Sequence, residues 1–277
     1  YSCLAIFATL LPSVQLIVTS EPYGEYVGEY MNIAHELYDS CRLHFPVSST
    51  MARTSLLSAW NFLPKSVQKY YQKKVVICGS ESTGKTTLVK RLADHFNMEC
   101  KGLCRVVNET ARELVPDSNE LNMDLLLHMA QVHAERIFEA SRICSDGGID
   151  GHCSGMKVGG DVSSTSSRVP DMIAPLVLID TDIYTTLSYA DLFLHTPLPV
   201  SNYMLTASSA HLRLYMNTCV PFVQDGTRLH SEGLRDQLDL NHRKIMKHYE
   251  VSYSEVGGKY DERWDTSVKH IQELFTI

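Results

Sequence analysis

Residues Gly79 to Thr86 read Gly-Ser-Glu-Ser-Thr-Gly-Lys-Thr, a complete G-x-x-x-x-G-K-[ST] loop. The run Val75-Val76-Ile77-Cys78 before it has strand character, and Leu88, Leu92 and Phe96 after it share one helical face. Strand, glycine-rich turn and helix form the context that this motif requires. Gly79 and Gly84 let the backbone curl, so that successive N–H groups point into one concavity at the positive end of a helix. Such a nest suits a chain of phosphates. Lys85 is expected to reach the β- and γ-phosphates of a nucleoside triphosphate, and the Thr86 hydroxyl to face Mg²⁺. Ser80, Glu81, Ser82, Thr83 and Thr87 complete the expected nucleotide-binding set.

A second run, Pro175-Leu176-Val177-Leu178-Ile179-Asp180-Thr181-Asp182, is an apolar strand ending in carboxylates. A phosphoryl-transfer site needs such groups opposite its phosphate loop: one Asp holds Mg²⁺, and another can accept a proton from the attacking hydroxyl. The spacing does not separate the roles of Asp180 and Asp182, and an aspartate here can equally cap a helix over Thr181 to Thr186. Further on, Asp225-Gly226-Thr227-Arg228 is followed by Arg235 and Arg243. Arginines on a mobile segment can close over a triphosphate and neutralise transition-state charge. The same spacing also fits a solvated helix face.

At 277 residues the chain is long enough for one large or two modest domains. Its 44% hydrophobic and 21% charged content is that of a globular protein. A net charge of −7 argues against a general nucleic-acid surface, which would be basic. The apolar stretch Cys3 to Leu11 is too short to span a membrane and lacks the basic residues of a signal peptide. Cys100 and Cys104 have no second pair beside them, and Cys144 and Cys153 lie in a loop-like stretch. Free thiols in a reducing, cytoplasmic setting are the expectation.

Two composition breaks organise the chain. Residues 64–74 read as a polar helical connection into the strand before the loop. Residues 144–170 hold six Gly and six Ser with no apolar period, the composition of a flexible insertion. Helical spacing marks Leu121 to Ile143 and Trp264 to Phe275, and Ala210 to Met216 is a further candidate strand. Strands alternating with helices after a phosphate loop imply an α/β fold, a three-layer parallel sheet of the P-loop NTPase kind.

At the level of motifs the chain resembles the NadR-type ribosylnicotinamide kinases. The loop with Glu81 at its third position is similar to that family's G-x-E-S-[ST]-G-K-[ST]-x-L. So are Glu109-Thr110-Ala111-Arg112-Glu113, Ala130-Gln131 and Ile179-Asp180-Thr181-Asp182-Ile183-Tyr184-Thr185-Thr186. Pro221-Phe222-Val223-Gln224-Asp225-Gly226-Thr227-Arg228 and Tyr260-Asp261-Glu262-Arg263 extend the likeness. Phe222 stands where the family has Trp, Thr227 replaces Leu, and His211-Leu212-Arg213 departs from an Asp-Leu strand entry. Toward the start, Val18-Thr19-Ser20-Glu21-Pro22-Tyr23-Gly24 and Pro46 to Arg53 resemble the last third of the nucleotidyltransferase domain of bifunctional members.

The resemblance implies residues 1–72 as the C-terminal part of a Rossmann-like nucleotidyltransferase domain and 73–277 as a P-loop kinase domain. The first would be a remnant, in which Ser48, Thr50 and Arg53 are the phosphate-gripping positions. Because the chain starts at Tyr1 and the His-x-Gly-His signature is absent from it, we expect an N-terminal fragment that does not transfer adenylate. The kinase domain is expected to use ATP and Mg²⁺ to phosphorylate nicotinamide riboside. Lys85, Asp180, Asp182 and Arg228 would be catalytic, Thr86 and Asp180 would hold the metal, and Glu109, Arg112 and Asp182 would bind the nucleoside. The rivals are a regulatory nucleotide-binding protein and a kinase for another nucleoside.

Overall fold

The computed structural model describes residue 6 and residues 9–10, 12–99, 103–114, 121–142, 173–222 and 232–276. The chain divides into two compact units, Tyr1–Phe62 and Leu63–Ile277. In the first, β1 (Leu16–Thr19) and β2 (Ala34–Leu37) pair in parallel and are joined through the helix Tyr23–Met31. That helix lies very close to the pair at Gly24, where an added Cβ would stand 2.2 Å from Thr19 Oγ1.

The second unit is built on five parallel strands. These are β3 (Lys73–Gly79), β4 (Cys104–Val107), β5 (Leu176–Asp180), β6 (Leu212–Met216) and β7 (Ser254–Val256), in the spatial order β4-β5-β3-β6-β7. Every residue of β5 is buried, as are the last five of β3. That is the pattern of a parallel sheet covered on both faces, and it explains why these runs are continuously apolar.

Alternation along the strands sends side chains to two cores. Val76, Cys78, Val177 and Ile179 pack with the helices Met123–Ala140 and Ile183–Tyr189. Val75, Ile77, Leu176 and Leu178 pack with Leu88, Leu92 and Phe96 of the helix Lys85–Glu99, and with Ile271 of the helix Tyr260–Glu273. The result is the three-layer α/β sheet expected from the sequence.

The compact units divide at 62/63 where 72/73 was the expected domain boundary, since the helix Lys65–Tyr71 groups with the second unit. Gln72 donates to Ala174 O at 2.8 Å, Gln68 accepts from Ile173 N–H at 3.4 Å, and Lys73 N–H donates to Pro175 O at 2.7 Å. These bonds pin the helix beside the start of β5. The helix expected over Leu121 to Ile143 runs from Met123 to Ala140, because the Asn122 side chain caps it by accepting from Leu125 N–H. The final helix starts at Tyr260, earlier than the Trp264 expected. His211 does not break β6: its Nδ1 accepts from Lys74 N–H at 3.1 Å and its own N–H donates to Lys74 O at 2.9 Å. The expected flexible insertion 144–170 lies outside the described residues, as do Cys100, Cys144 and Cys153. Among the described residues Cys41, Cys78, Cys104 and Cys219 are free thiols. No helix among them is long and apolar enough to cross a membrane.

Candidate active site

The C-terminal ends of β3, β4 and β5 meet at one edge of the sheet, where ligands of open α/β folds bind. Gly79 closes β3 with φ 135° in direct register with Met216, and a Cβ there would stand 2.4 Å from Met216 O. Only glycine fits. Gly84, with φ 86°, turns the loop into the helix Lys85–Glu99. The loop is braced from within and below: Thr83 Oγ1 donates to Ser80 O, and Ser80 Oγ to Arg235 O, both at 2.8 Å. Lys85 Nζ folds over the nest and donates to Ser80 O at 2.9 Å, so its charge lies where phosphate oxygens would sit. Glu81 accepts from the Tyr189 hydroxyl, which ties the loop to the helix Ile183–Tyr189. Thr87 is exposed on the first turn after Thr86.

The two aspartates separate cleanly. Thr86 Oγ1 donates to Asp180 Oδ2 at 2.7 Å, which brings together two hard oxygen donors of the kind Mg²⁺ takes. Asp180 is 1% exposed. Asp182 instead caps the helix Ile183–Tyr189, accepting from Tyr184 and Thr185 N–H at 3.1 and 3.3 Å through Oδ1. Its Oδ2 accepts from Arg213 Nε at 2.8 Å in a pair of 8% and 0% side-chain exposure. The helix-cap reading of the Asp-Thr-Asp run therefore holds for Asp182, while Asp180 faces the loop threonine. The intervening Thr181 stands at φ 69°.

Two buried histidines flank this turn. His133, on the helix Met123–Ala140, lies 2.9 Å from Thr110 Oγ1 and 3.3 Å from Thr181 O. Burial lowers its pKa, although the bond to Thr181 and the Asp182 and Glu109 carboxylates pull the other way. His242, fully buried beside Thr185, is pushed down to about 4 by desolvation, against the pull of Asp182. Nothing in local spacing distinguished either from a core histidine. Arg213 carried a signal: a cation inside the apolar run Leu212-Arg213-Leu214 must find a buried partner.

Glu109 follows β4 and is partly buried, and Arg112 lies in the short helix Ala111–Leu114. Arg228 lies outside the described residues. Arg235 and Arg243 fit neither reading made from their spacing. Arg235 is 2% exposed and donates to Val220 O and Thr218 O beneath the loop. Arg243 pairs with Asp239 and Glu255 and lies over the Tyr215 ring. Arg263 is 1% exposed and donates to Thr83 O at 2.7 Å and Asn217 O at 3.1 Å, so the last helix buttresses the phosphate loop. In the first unit, Ser48 caps the helix Ser49–Thr54, which carries Thr50 and Arg53 at exposed positions.

Residues 74–144 match the model of the AAA domain family. The trifunctional NAD biosynthesis/regulator protein NadR of Escherichia coli is 36% identical over 84 residues, covering 30% of this chain and 20% of that protein. NadR of Salmonella typhimurium is 35% identical over 69 residues, covering 25% and 17%. The matched segment thus spans about a fifth of these relatives. Among solved structures, NadR protein in complex with NR superposes with a TM-score of 0.57 at 20% identity, covering 99% of this chain and 73% of that one. NadR in complex with NAD and AMP-PNP gives 0.56 at 18%, covering 95% and 67%. The family match is thus confined to residues 74–144, and the likeness to the two solved NadR structures is one of fold.

Proposed function

We propose that this chain phosphorylates nicotinamide riboside with ATP and Mg²⁺, giving nicotinamide mononucleotide for NAD synthesis. The observation that carries the reading is the Thr86–Asp180 contact at 2.7 Å, opposite Lys85 at the C-terminal edge of the sheet. Loop amides and Lys85 would hold the triphosphate; Thr86 and Asp180 would hold the metal, with phosphate and water oxygens completing its shell. The metal supplies charge neutralisation between the phosphoryl groups. Among the described residues no group of three or more His, Cys, Asp or Glu is arranged to hold a metal alone, which suits an ion that arrives with its nucleotide.

The acceptor would enter beside Glu109 and Arg112, at the end of β4 next to the carboxylate turn, and Arg228 would close over the phosphates. Asp182, sealed between the helix cap and Arg213, would shape the turn and not touch the acceptor. The nucleoside itself is carried over from the relative that binds NR. Residues 1–62 are read as the nucleotidyltransferase-like part, with Ser48, Thr50 and Arg53 as its phosphate-side positions. A cytoplasmic site of action is part of the same reading. The rival, a regulatory nucleotide-binding protein, would hold its metal with the same Thr86–Asp180 pair, so phosphorylation of a nucleoside is what separates the two.

The test is a phosphorylation assay with ATP and Mg²⁺ across nicotinamide riboside, uridine and thymidine, repeated with Lys85→Ala. Turnover of nicotinamide riboside is expected, falling about 10²-fold or more in the variant, the scale of removing one electrostatic stabiliser. ATP binding without phosphorylation of any nucleoside would move the assignment to the regulatory rival.

A further inference from the structure

Thr181 is a β-branched residue in the left-handed region, placed between the two carboxylates of the site. Such backbone persists only where its surroundings over-determine it. Here three bonds do so. Thr181 N–H donates to Ile77 O at 3.0 Å, its hydroxyl donates to Asp180 O at 2.6 Å, and His133 Nε2 lies 3.3 Å from its carbonyl oxygen.

A carbonyl only accepts, so His133 Nε2 carries the proton. Nδ1, 2.9 Å from Thr110 Oγ1, then accepts from the Thr110 hydroxyl. The imidazole is 7% exposed and Thr110 3%, so neither has water as an alternative partner of any consequence. Thr110 follows Glu109 directly and accepts from Glu113 N–H at 3.2 Å, opening the short helix that carries Arg112. One neutral ring therefore spans from the loop after β4 to the kinked turn after β5.

The kink itself divides the labour. On one side of Thr181, Asp180 faces Thr86; on the other, Asp182 turns to Arg213 and the helix cap.

We propose that His133 is a positioning residue: its neutral imidazole latches Thr181 O to Thr110, keeping Asp180 aimed at the metal-bearing phosphates and the Glu109 segment in register with it. The proposal rests on the phosphoryl-transfer reading of Asp180 and deepens it. Without the latch the Thr181 turn relaxes toward ordinary backbone, and Asp180 leaves Thr86.

The test measures equilibrium binding of a fluorescent ATP analogue to the whole chain, with and without Mg²⁺ and without acceptor, for wild type, His133→Ala, His133→Gln and Thr110→Val. Thermal melts accompany each. Affinity without Mg²⁺ is expected to stay within about twofold in all four, because the nest amides are untouched. The gain in affinity on adding Mg²⁺ is expected to fall about tenfold in His133→Ala, the scale for losing the partner that orients a metal ligand. His133→Gln, whose amide can donate to Thr181 O, should recover most of that gain. Thr110→Val should lose a smaller part of it.

A His133→Ala protein with a native melt and the full Mg²⁺ gain would overturn the proposal. If that variant does not fold, a native Thr110→Val with the full gain would overturn it equally, and a reduced gain would sustain it. Failure of the kinase reading looks different: wild type would bind ATP with a Mg²⁺ gain, yet phosphorylate no nucleoside.

Discussion

The two units begin from the same local pattern, parallel strands joined through a helix, and reach opposite degrees of coverage. In β1 of the first unit Leu16 and Val18 are 47% and 53% exposed, whereas β5 of the second unit buries all five residues. Tyr23, Tyr26 and Tyr30 leave much of the Tyr23–Met31 helix apolar and exposed, and Leu43 and Phe45 are exposed beyond β2. A parallel pair of strands has no water-facing side to spare, so it needs layers on both faces and further strands beside it. The second unit has them. Its charged groups also go inward only with partners: Arg213 on Asp182, Arg235 on two carbonyls, Arg263 on the phosphate loop. In the first unit the pair Arg42–Glu21 stays near solvent.

The most drastic way to break this comparison is to separate the units. Residues 63–277 are expected to unfold cooperatively on heating. Residues 1–62 alone are expected to show no cooperative transition and to aggregate, since the two strands among the described residues do not make a core and Leu16, Val18, Leu43 and Phe45 lie exposed. A monomeric 1–62 segment with a sigmoidal melt would break the contrast outright.

Next in size is the buried ion pair. Asp182→Ala leaves the Arg213 guanidinium desolvated and removes a helix cap, and should cost about 3–5 kcal/mol of unfolding free energy in denaturant titration. The Glu21→Ala change in the exposed pair should cost about 1 kcal/mol or less in the same titration. Equal costs would mean that coverage does not set the worth of these charges.

Between these two in size is a pH dependence that arises from buried histidines of the second unit. The folded-state pKa of His242, about 4, lies below its unfolded value near 6.5. Between those values the unfolded chain binds more protons, so stability is full above pH 6.5 and is lost as pH falls through that window. His133 is shifted in the same direction. Roughly 1–3 kcal/mol should disappear between pH 7 and pH 5. His242→Gln should flatten part of that slope, and an unchanged slope in the variant would remove His242 from the account.

Much of the second unit was legible from residue order. Val75 to Cys78 and Leu176 to Ile179 were strands because parallel central strands are apolar throughout, and the phosphate loop defined its own backbone through Gly79 and Gly84. β4 and β7 were not legible. The first has Arg105 in its middle, satisfied by Ala140 O and Arg142 O from a distant helix end, and the second is three residues long. Spacing offered Arg235 as a lid arginine or a solvated one, when its guanidinium is sealed beneath the loop by carbonyls from Thr218 and Val220. That the helix Lys65–Tyr71 groups with the second unit was hidden for a similar reason, since the bonds of Gln68 and Gln72 reach across more than a hundred positions of chain.

Residue order alone carries the glycine loop, the hydroxyl at Thr86, the apolar strands and the two aspartates, because each follows from residues a few positions apart. Which aspartate faces Thr86 of the loop is settled only when the sheet assembles. Asp180 and Asp182 are chemically identical and two positions apart. Thr86, Arg213, His133 and the kink at Thr181 separate them, and these partners come from elements that meet only when the sheet is assembled.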